Sequence, residues 1–394
     1  MLISISLILI CGLIAGTLFR KIKFPALFGM ILAGILIGPH CLNLIDDSIL
    51  NISAELRKIA LIIILLRAGL KLSLDDLKKA GRPGVLMCFV PAAVEILGMV
   101  LLAPLILGIT RLDAAILGSV IAAVSPAVIV PKMIRLIDEK RGTKKGIPQM
   151  ILAGASVDDV FVIVMFTTFT SLAKGEEVSL FRIAGIPLSI LTGVVIGVGL
   201  GIVLCAFWKK FHMRDSVKVV LMLSISFVLV TAEDKFASLI PFASLIAVMI
   251  MGLAVKMKKS DVAVRLSSKF NKLWVPSELF LFVLVGASVM ISNALDAGVN
   301  TIILLALVLV FRMTGVALCM IRTRLNFRER LFCMLAYTPK ATVQAAIGAL
   351  PLAMGLGCSQ IVLTVSVIAI LITAPLGAFA IDATYKKFLE REIE

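Results

Sequence analysis

The sequence predicts an all-α polytopic membrane protein of about thirteen helical spans, a single transporter-like unit over residues 1–394. Three observations carry this expectation. The chain is 60% hydrophobic and only 16% charged, where a soluble domain carries roughly a quarter charged residues. Apolar runs of about 17 to 25 residues, each enough to cross ~30 Å of hydrocarbon, recur as far as Tyr385. Lys and Arg crowd alternate loops: 30 of the 39 basic residues fall in the set assigned to the cytoplasm and 6 in the other. The remaining three, Arg67, Arg312 and Lys340, lie within or at the edges of spans. This assignment puts the N-terminus outside and the C-terminus inside. It also accounts for the net charge of +15 without a nucleic-acid partner.

The expected spans are 2–19, 25–42, 55–70, 84–107, 112–131, 147–172, 181–208, 216–232, 238–255, 274–291, 300–321, 329–352 and 359–385. The first has no basic segment before it and Arg20, Lys21 and Lys23 after it, so it reads as a span rather than a signal peptide. The fourth contains Glu95. The fifth is interrupted at Ser125-Pro126, with Pro131 further on, and the sixth contains Asp158 and Asp159. In the seventh, Gly193, Gly197 and Gly201 bare one helix face to a neighbouring backbone; packing within the chain is favoured over a seam between subunits. The eleventh carries Arg312, and the twelfth is interrupted at Thr338-Pro339-Lys340. Proline removes a helical hydrogen bond, and such breaks survive in a membrane only where other groups or a wet cavity satisfy the freed backbone. Pro126 and Pro339 are 213 residues apart, and Glu95 and Arg312 are 217 apart. The fourth-to-sixth and eleventh-to-thirteenth spans therefore read as two copies of one unit, inverted because corresponding spans are offset by seven, an odd number.

Asp158 and Asp159 are the residues to explain, since each ionised carboxylate at that depth costs at least about 2.5–3.5 kcal/mol. Neighbours on a helix point ~100° apart, so one can face an ion cavity while the other meets a basic partner. Carboxylate oxygens suit Na⁺ or Li⁺, and a proton can displace the metal ion from the same oxygen. Ser125 is the best neutral candidate ligand, followed by Ser156, Thr338 and Gln344, whose commoner use is helix-to-helix hydrogen bonding. Glu95 and Arg312 should meet near the repeat axis, although Arg312 can instead pair with Asp158. Lys340 follows the second break, where it can neutralise the carbonyl end of a broken helix.

Several classes are disfavoured. No GxxxxGK[ST] loop is present to drive an ATP pump, and with only His40 and His212, both in loops, no HExxH or nucleophile motif suggests an enzyme or a cofactor. The seven cysteines lie singly, as packing residues, with a bridge between Cys41 and Cys358 disfavoured.

The strings Leu66-Arg67-Ala68-Gly69-Leu70, Ser125-Pro126 through Pro131, Ser156-Val157-Asp158-Asp159 and Pro339-Lys340 through Gly348 resemble the sodium/proton antiporters of the cation:proton antiporter superfamily. The similarity is to the NHA branch, sodium/hydrogen exchanger 9B-like, over about residues 60–380. The resemblance implies an NhaA-like antiporter fold, with two crossed broken helices beside the aspartate pair. It implies a homodimer, with mobile core helices at about 84–172 and 300–385 and dimerisation helices at about 1–55 and 181–291. It further implies Na⁺ (or Li⁺) for H⁺ exchange by elevator-type alternating access in a cell membrane, bacterial inner membrane being the simplest. Asp159 would bind the ion or proton, Asp158 would assist, and Glu95 would pair with Arg312. Arg312 stands where bacterial electrogenic relatives have lysine, which leaves electroneutral and electrogenic exchange both open. The alternatives are K⁺/H⁺ antiport and sodium-coupled uptake of an organic anion on a related fold.

Overall fold

The computed structural model describes residues 1–22, 24–71, 81–173, 180–236, 243–289 and 298–391. It is helical nearly throughout, as the apolar runs require. Helices α1 (Leu2–Lys21), α2 (Ala26–Ile37), the short α3 (Asp47–Asn51) and α4 (Ser53–Lys71) open the chain. The fourth span continues as α5 (Val90–Leu107), which ends at Gly108 in the left-handed conformation, φ 66°. Then come α6 (Arg111–Ile121), α7 (Pro126–Asp138) and α8 (Ile147–Ala173). After these follow α9 (Leu180–Lys210), α10 (Asp215–Phe236), α11 (Ser244–Lys258) and α12 (Ser260–Ala287). The last part comprises α13 (Gly298–Cys319), α14 (Phe327–Ala336), α15 (Thr342–Ile347), α16 (Leu350–Ala353) and α17 (Ser359–Phe388).

Among the described residues nine helical stretches are long and apolar enough to cross a membrane, and Ala26–Ile37 and Thr342–Ala353 are shorter apolar ones. The expected third, ninth and twelfth spans correspond to α4, α11 and the α14–α16 series. The loops around Asp75-Asp76 and residues 237–242 lie outside the described residues. One expected boundary moves. The basic stretch Lys256–Lys272, read as a loop, is mostly the N-terminal part of α12. Ala263, Leu266, Phe270 and Trp274 recur at helical spacing and are buried, while Arg265, Lys269 and Lys272 face outward, so the charges decorate a helix that starts well before the apolar run.

The chain divides into two compact units. Unit 1 comprises Met1–Ala54, Leu74–Lys174 and Leu279–Glu394. In it α5 packs along α13, pairing the first helices of the two repeat copies, and α6 and α7 pack on α8 while α14 packs on α17. Unit 2 comprises Glu55–Ser73 and Gly175–Glu278, with α9 and α10 against α11. The glycine stripe belongs to this packing. A Cβ on Gly197 would lie 2.6 Å from the carbonyl oxygen of Ala247, and one on Gly201 2.5 Å from the Ala254 Cβ. The face is therefore occupied within the chain. Gly197→Leu should force α9 and α11 apart and cost about 1–3 kcal/mol or more through overpacking; a lower melting temperature in detergent tests this, and an unchanged one would contradict the packing role.

All seven cysteines are free, Cys41 being exposed and Cys358 buried. The cytoplasm-assigned end of α14 begins with a capping box, in which Asn326 accepts from the Glu329 N–H and Glu329 accepts from the Asn326 N–H.

Candidate ion-binding site

Both proline-containing spans are broken where the sequence places the breaks. α6 stops at Ile121, residues 123–125 are non-helical, and α7 restarts with Pro126 in its first turn, where the missing N–H costs nothing. α14 stops at Ala336, residues 338–341 are non-helical, and α15 starts at Thr342. The two breaks touch: the Ser125 N–H donates to the Pro339 carbonyl at 2.8 Å. Gly377 on α17 makes room for this, since a Cβ there would fall 2.4 Å from the Pro339 ring.

Helix ends leave carbonyls without partners, and here two side chains of the second repeat copy, Gln344 and Arg312, supply donors. The Gln344 amide nitrogen donates to the carbonyls of Val120, Ile121 and Ala123 at 3.1, 3.0 and 2.8 Å. Arg312 donates through Nη1 to the Ala122 carbonyl and through Nε to the Tyr337 carbonyl at 2.7 Å. Gln344, proposed from sequence as an oxygen ligand, thus also uses its nitrogen as a backbone cap. Lys340, expected at a carbonyl end, puts its ammonium on a carboxylate instead.

That carboxylate is Glu95, whose Oε2 accepts from Lys340 Nζ at 2.6 Å and from Arg312 Nη1 at 2.7 Å. Arg312 also reaches Asp158 Oδ2 through Nη2 at 3.0 Å. Arg312 therefore pairs with both acids that the sequence offered as alternatives. All four side chains are fully buried. The Arg312 fork also lies over the Tyr337 ring, 5.0 Å from its centroid, and Tyr337 donates its hydroxyl hydrogen to the Met87 carbonyl at 3.0 Å. The sequence reading missed Tyr337 as part of the network; a polar aromatic at a span break was the available signal.

Asp158 Oδ2 has a second donor, the Val124 N–H in the first break, at 2.8 Å. Asp159 is different. It is 8% exposed, and among the described residues no cationic group lies within ion-pair distance of it. Six oxygens around the crossing are buried without a hydrogen-bond partner among the described residues: Glu95 Oε1, Asp158 Oδ1, Asp159 Oδ1, Ser125 Oγ, Thr342 Oγ1 and Gln344 Oε1. Buried polar atoms are seldom left so, and oxygen donors are what a hard monovalent cation takes. Thr338 spends its hydroxyl on the Leu335 carbonyl at 2.9 Å, while the Ser156 side chain lies outside the described residues. Thr342 is the one oxygen that the sequence reading did not name.

Membrane-length helices, two touching helix breaks and a buried acidic cluster with spare oxygens define a secondary transporter of a small inorganic cation. Comparison with known proteins specifies the family. The model for "Sodium/hydrogen exchanger, transmembrane" matches residues 5–387. The chain is 33% identical to human sodium/hydrogen exchanger 9B2, the match spanning 99% of this chain and 75% of that protein. It is 30% identical to human sodium/hydrogen exchanger 9B1, over 100% and 79% respectively. The structure of the sodium proton antiporter MjNhaP1 from Methanocaldococcus jannaschii superposes with a TM-score of 0.84 at 20% identity, covering 98% of this chain and 97% of that one. The chain belongs to the sodium/hydrogen exchanger family, as a multi-pass membrane protein with the antiporter fold.

Proposed function

We propose that this protein exchanges Na⁺ for H⁺ one for one, the two cations competing for Asp159 and Asp158 assisting. The observation that carries the reading is the unequal state of the two aspartates. Asp158 is held by a guanidinium and a backbone N–H, whereas Asp159 has no cationic partner among the described residues. With all groups ionised, Glu95, Asp158 and Asp159 exceed Arg312 and Lys340 by one negative charge. One bound Na⁺ or one proton neutralises that excess. Each crossing then carries the same net charge in either direction, which supports electroneutral exchange. The spare oxygens of Ser125, Thr342 and Gln344 are the further ligands that would replace water around Na⁺ or the smaller Li⁺.

Transport then requires the crossing to face each side in turn. The moving body comprises the helices at about 84–172 and 300–385, acting against helices at about 1–55 and 181–291 that hold two copies together as a homodimer in the cell membrane, N-terminus outside and C-terminus in the cytoplasm. A large organic solute is a poorer fit, since the unpartnered atoms are a few single oxygens on a tightly capped pair of breaks.

Reconstituted liposomes test the reading. Sodium addition should release interior protons at a rate independent of an imposed membrane potential. Because one site serves both ions, the half-saturating sodium concentration should rise by up to about tenfold per pH unit on the acid side. Exchange that accelerates with potential, or a half-saturation indifferent to pH, would overturn the one-for-one competition.

A further inference from the structure

A cavity of about 610 Å³ opens where the loop before α8 meets the loop between α13 and α14. Its lining includes Thr143, Lys144, Lys145, Met150, Thr323 and Arg324. The ionisable lining groups are all cationic. The acids nearby pair with one of them and leave two. Glu329 is taken by Lys145, whose Nζ lies 2.8 and 2.9 Å from its two oxygens, and Glu390 is the other carboxylate within electrostatic reach of Lys145. The bond to Glu329 holds the Lys145 ammonium above the usual lysine range, so it stays charged at any physiological pH. Lys144 and Arg324 have no carboxylate partner within ion-pair distance among the described residues. Arg330 is bound to the wall itself, donating to the carbonyls of Leu325 and Thr323 at 3.0 and 3.2 Å. It adds positive charge behind the cavity and ties down the loop that carries Arg324.

Topology alone asks only that such loops be basic. It does not ask that an ammonium and a guanidinium from two distant loops converge on one concave space with threonines beside them. We propose that this cavity is a binding site for a phosphate-bearing anion, supplied either by an anionic lipid headgroup or by a soluble phosphate. Arg324 offers the planar fork that matches phosphate oxygens and Lys144 a mobile point charge, while the Thr323 hydroxyl donates to the Met320 carbonyl at 2.6 Å. An occupant joins the start of α8, the helix carrying Asp158 and Asp159, to the chain entering α14, the first half of the second broken span. The site does not depend on the ion-exchange reading.

The test uses the whole protein in detergent, with Lys144→Ala/Arg324→Ala as the variant and Lys209→Ala/Lys210→Ala, an equal charge change in unit 2, as the control. Inorganic pyrophosphate binding is followed by calorimetry, and retention of phosphatidylglycerol against phosphatidylcholine by native mass spectrometry. Saturable pyrophosphate binding that weakens roughly tenfold or more in the cavity variant, and not in the control, supports the site with a soluble ligand. Selective phosphatidylglycerol retention lost in the same way, without pyrophosphate binding, supports it with a lipid. Binding of neither probe, or equal weakening in both variants, overturns it.

Discussion

Asp159→Asn should abolish sodium-driven proton efflux from liposomes while leaving the protein folded. The side chain keeps its size, and no ion pair breaks, because among the described residues Asp159 makes none. What is lost is the one carboxylate whose charge is not already committed. Without it, the charges of Glu95 and Asp158 balance those of Arg312 and Lys340, and the site has no net reason to admit a cation. Asp158→Asn should behave otherwise. The amide oxygen can still accept from the Val124 N–H and from Arg312, which meet the same Asp158 oxygen, but without the negative charge, so both bonds weaken and the first break loosens. That variant should bind sodium more weakly and melt at a lower temperature, retaining proton coupling on Asp159. Undiminished exchange in Asp159→Asn would remove the central claim and direct attention to another carboxylate.

Arg312→Ala should be the most damaging single change to stability. One guanidinium serves Glu95, Asp158 and the carbonyls of Ala122 and Tyr337, so its removal takes a partner from two buried carboxylates and frees one carbonyl at each helix break. Breaking a buried pair by deleting one partner costs about 3–5 kcal/mol. Lys340 still meets Glu95 at 2.6 Å, so Asp158 bears most of the loss. Arg312→Lys keeps the charge but cannot span four acceptors with a single ammonium, and should fall between wild type and alanine. Acidification should narrow the gap between wild type and Arg312→Ala, because a protonated carboxyl is cheaper to bury than an unpaired anion. Thermal melts in detergent over a pH series would check this, and equal melting temperatures for Arg312→Ala and wild type would refute the network's structural role.

The legible parts of the sequence were those with one explanation each. Long apolar runs have to be spans, and a proline between apolar halves has to break a helix, so both breaks could be located before any coordinates. The aspartates stood out because charge at membrane depth is costly. Less legible was the start of α12, since hydropathy registers where the apolar run begins and not where hydrogen bonding begins. The role of Gln344 was half read: its amide can donate or accept, and only the position of the three carbonyls of Val120, Ile121 and Ala123 shows that its nitrogen caps a helix. Arg312 meets both of the acids offered as alternative partners, because a guanidinium has five donors and pattern alone does not count acceptors.

The sequence by itself determined that the chain crosses a membrane many times and carries two proline breaks related by an inverted repeat. It also determined that Glu95, Asp158, Asp159 and Arg312 stand within apolar spans. Those facts follow from the cost of placing polar groups in hydrocarbon, which each segment incurs separately. Only the tertiary structure decided which aspartate is tied and which, among the described residues, has no cationic partner, because that depends on groups 34 and 154 residues distant meeting the same carboxylate. Distances of about 3 Å between segments far apart in the chain are set by packing, and no local pattern encodes them.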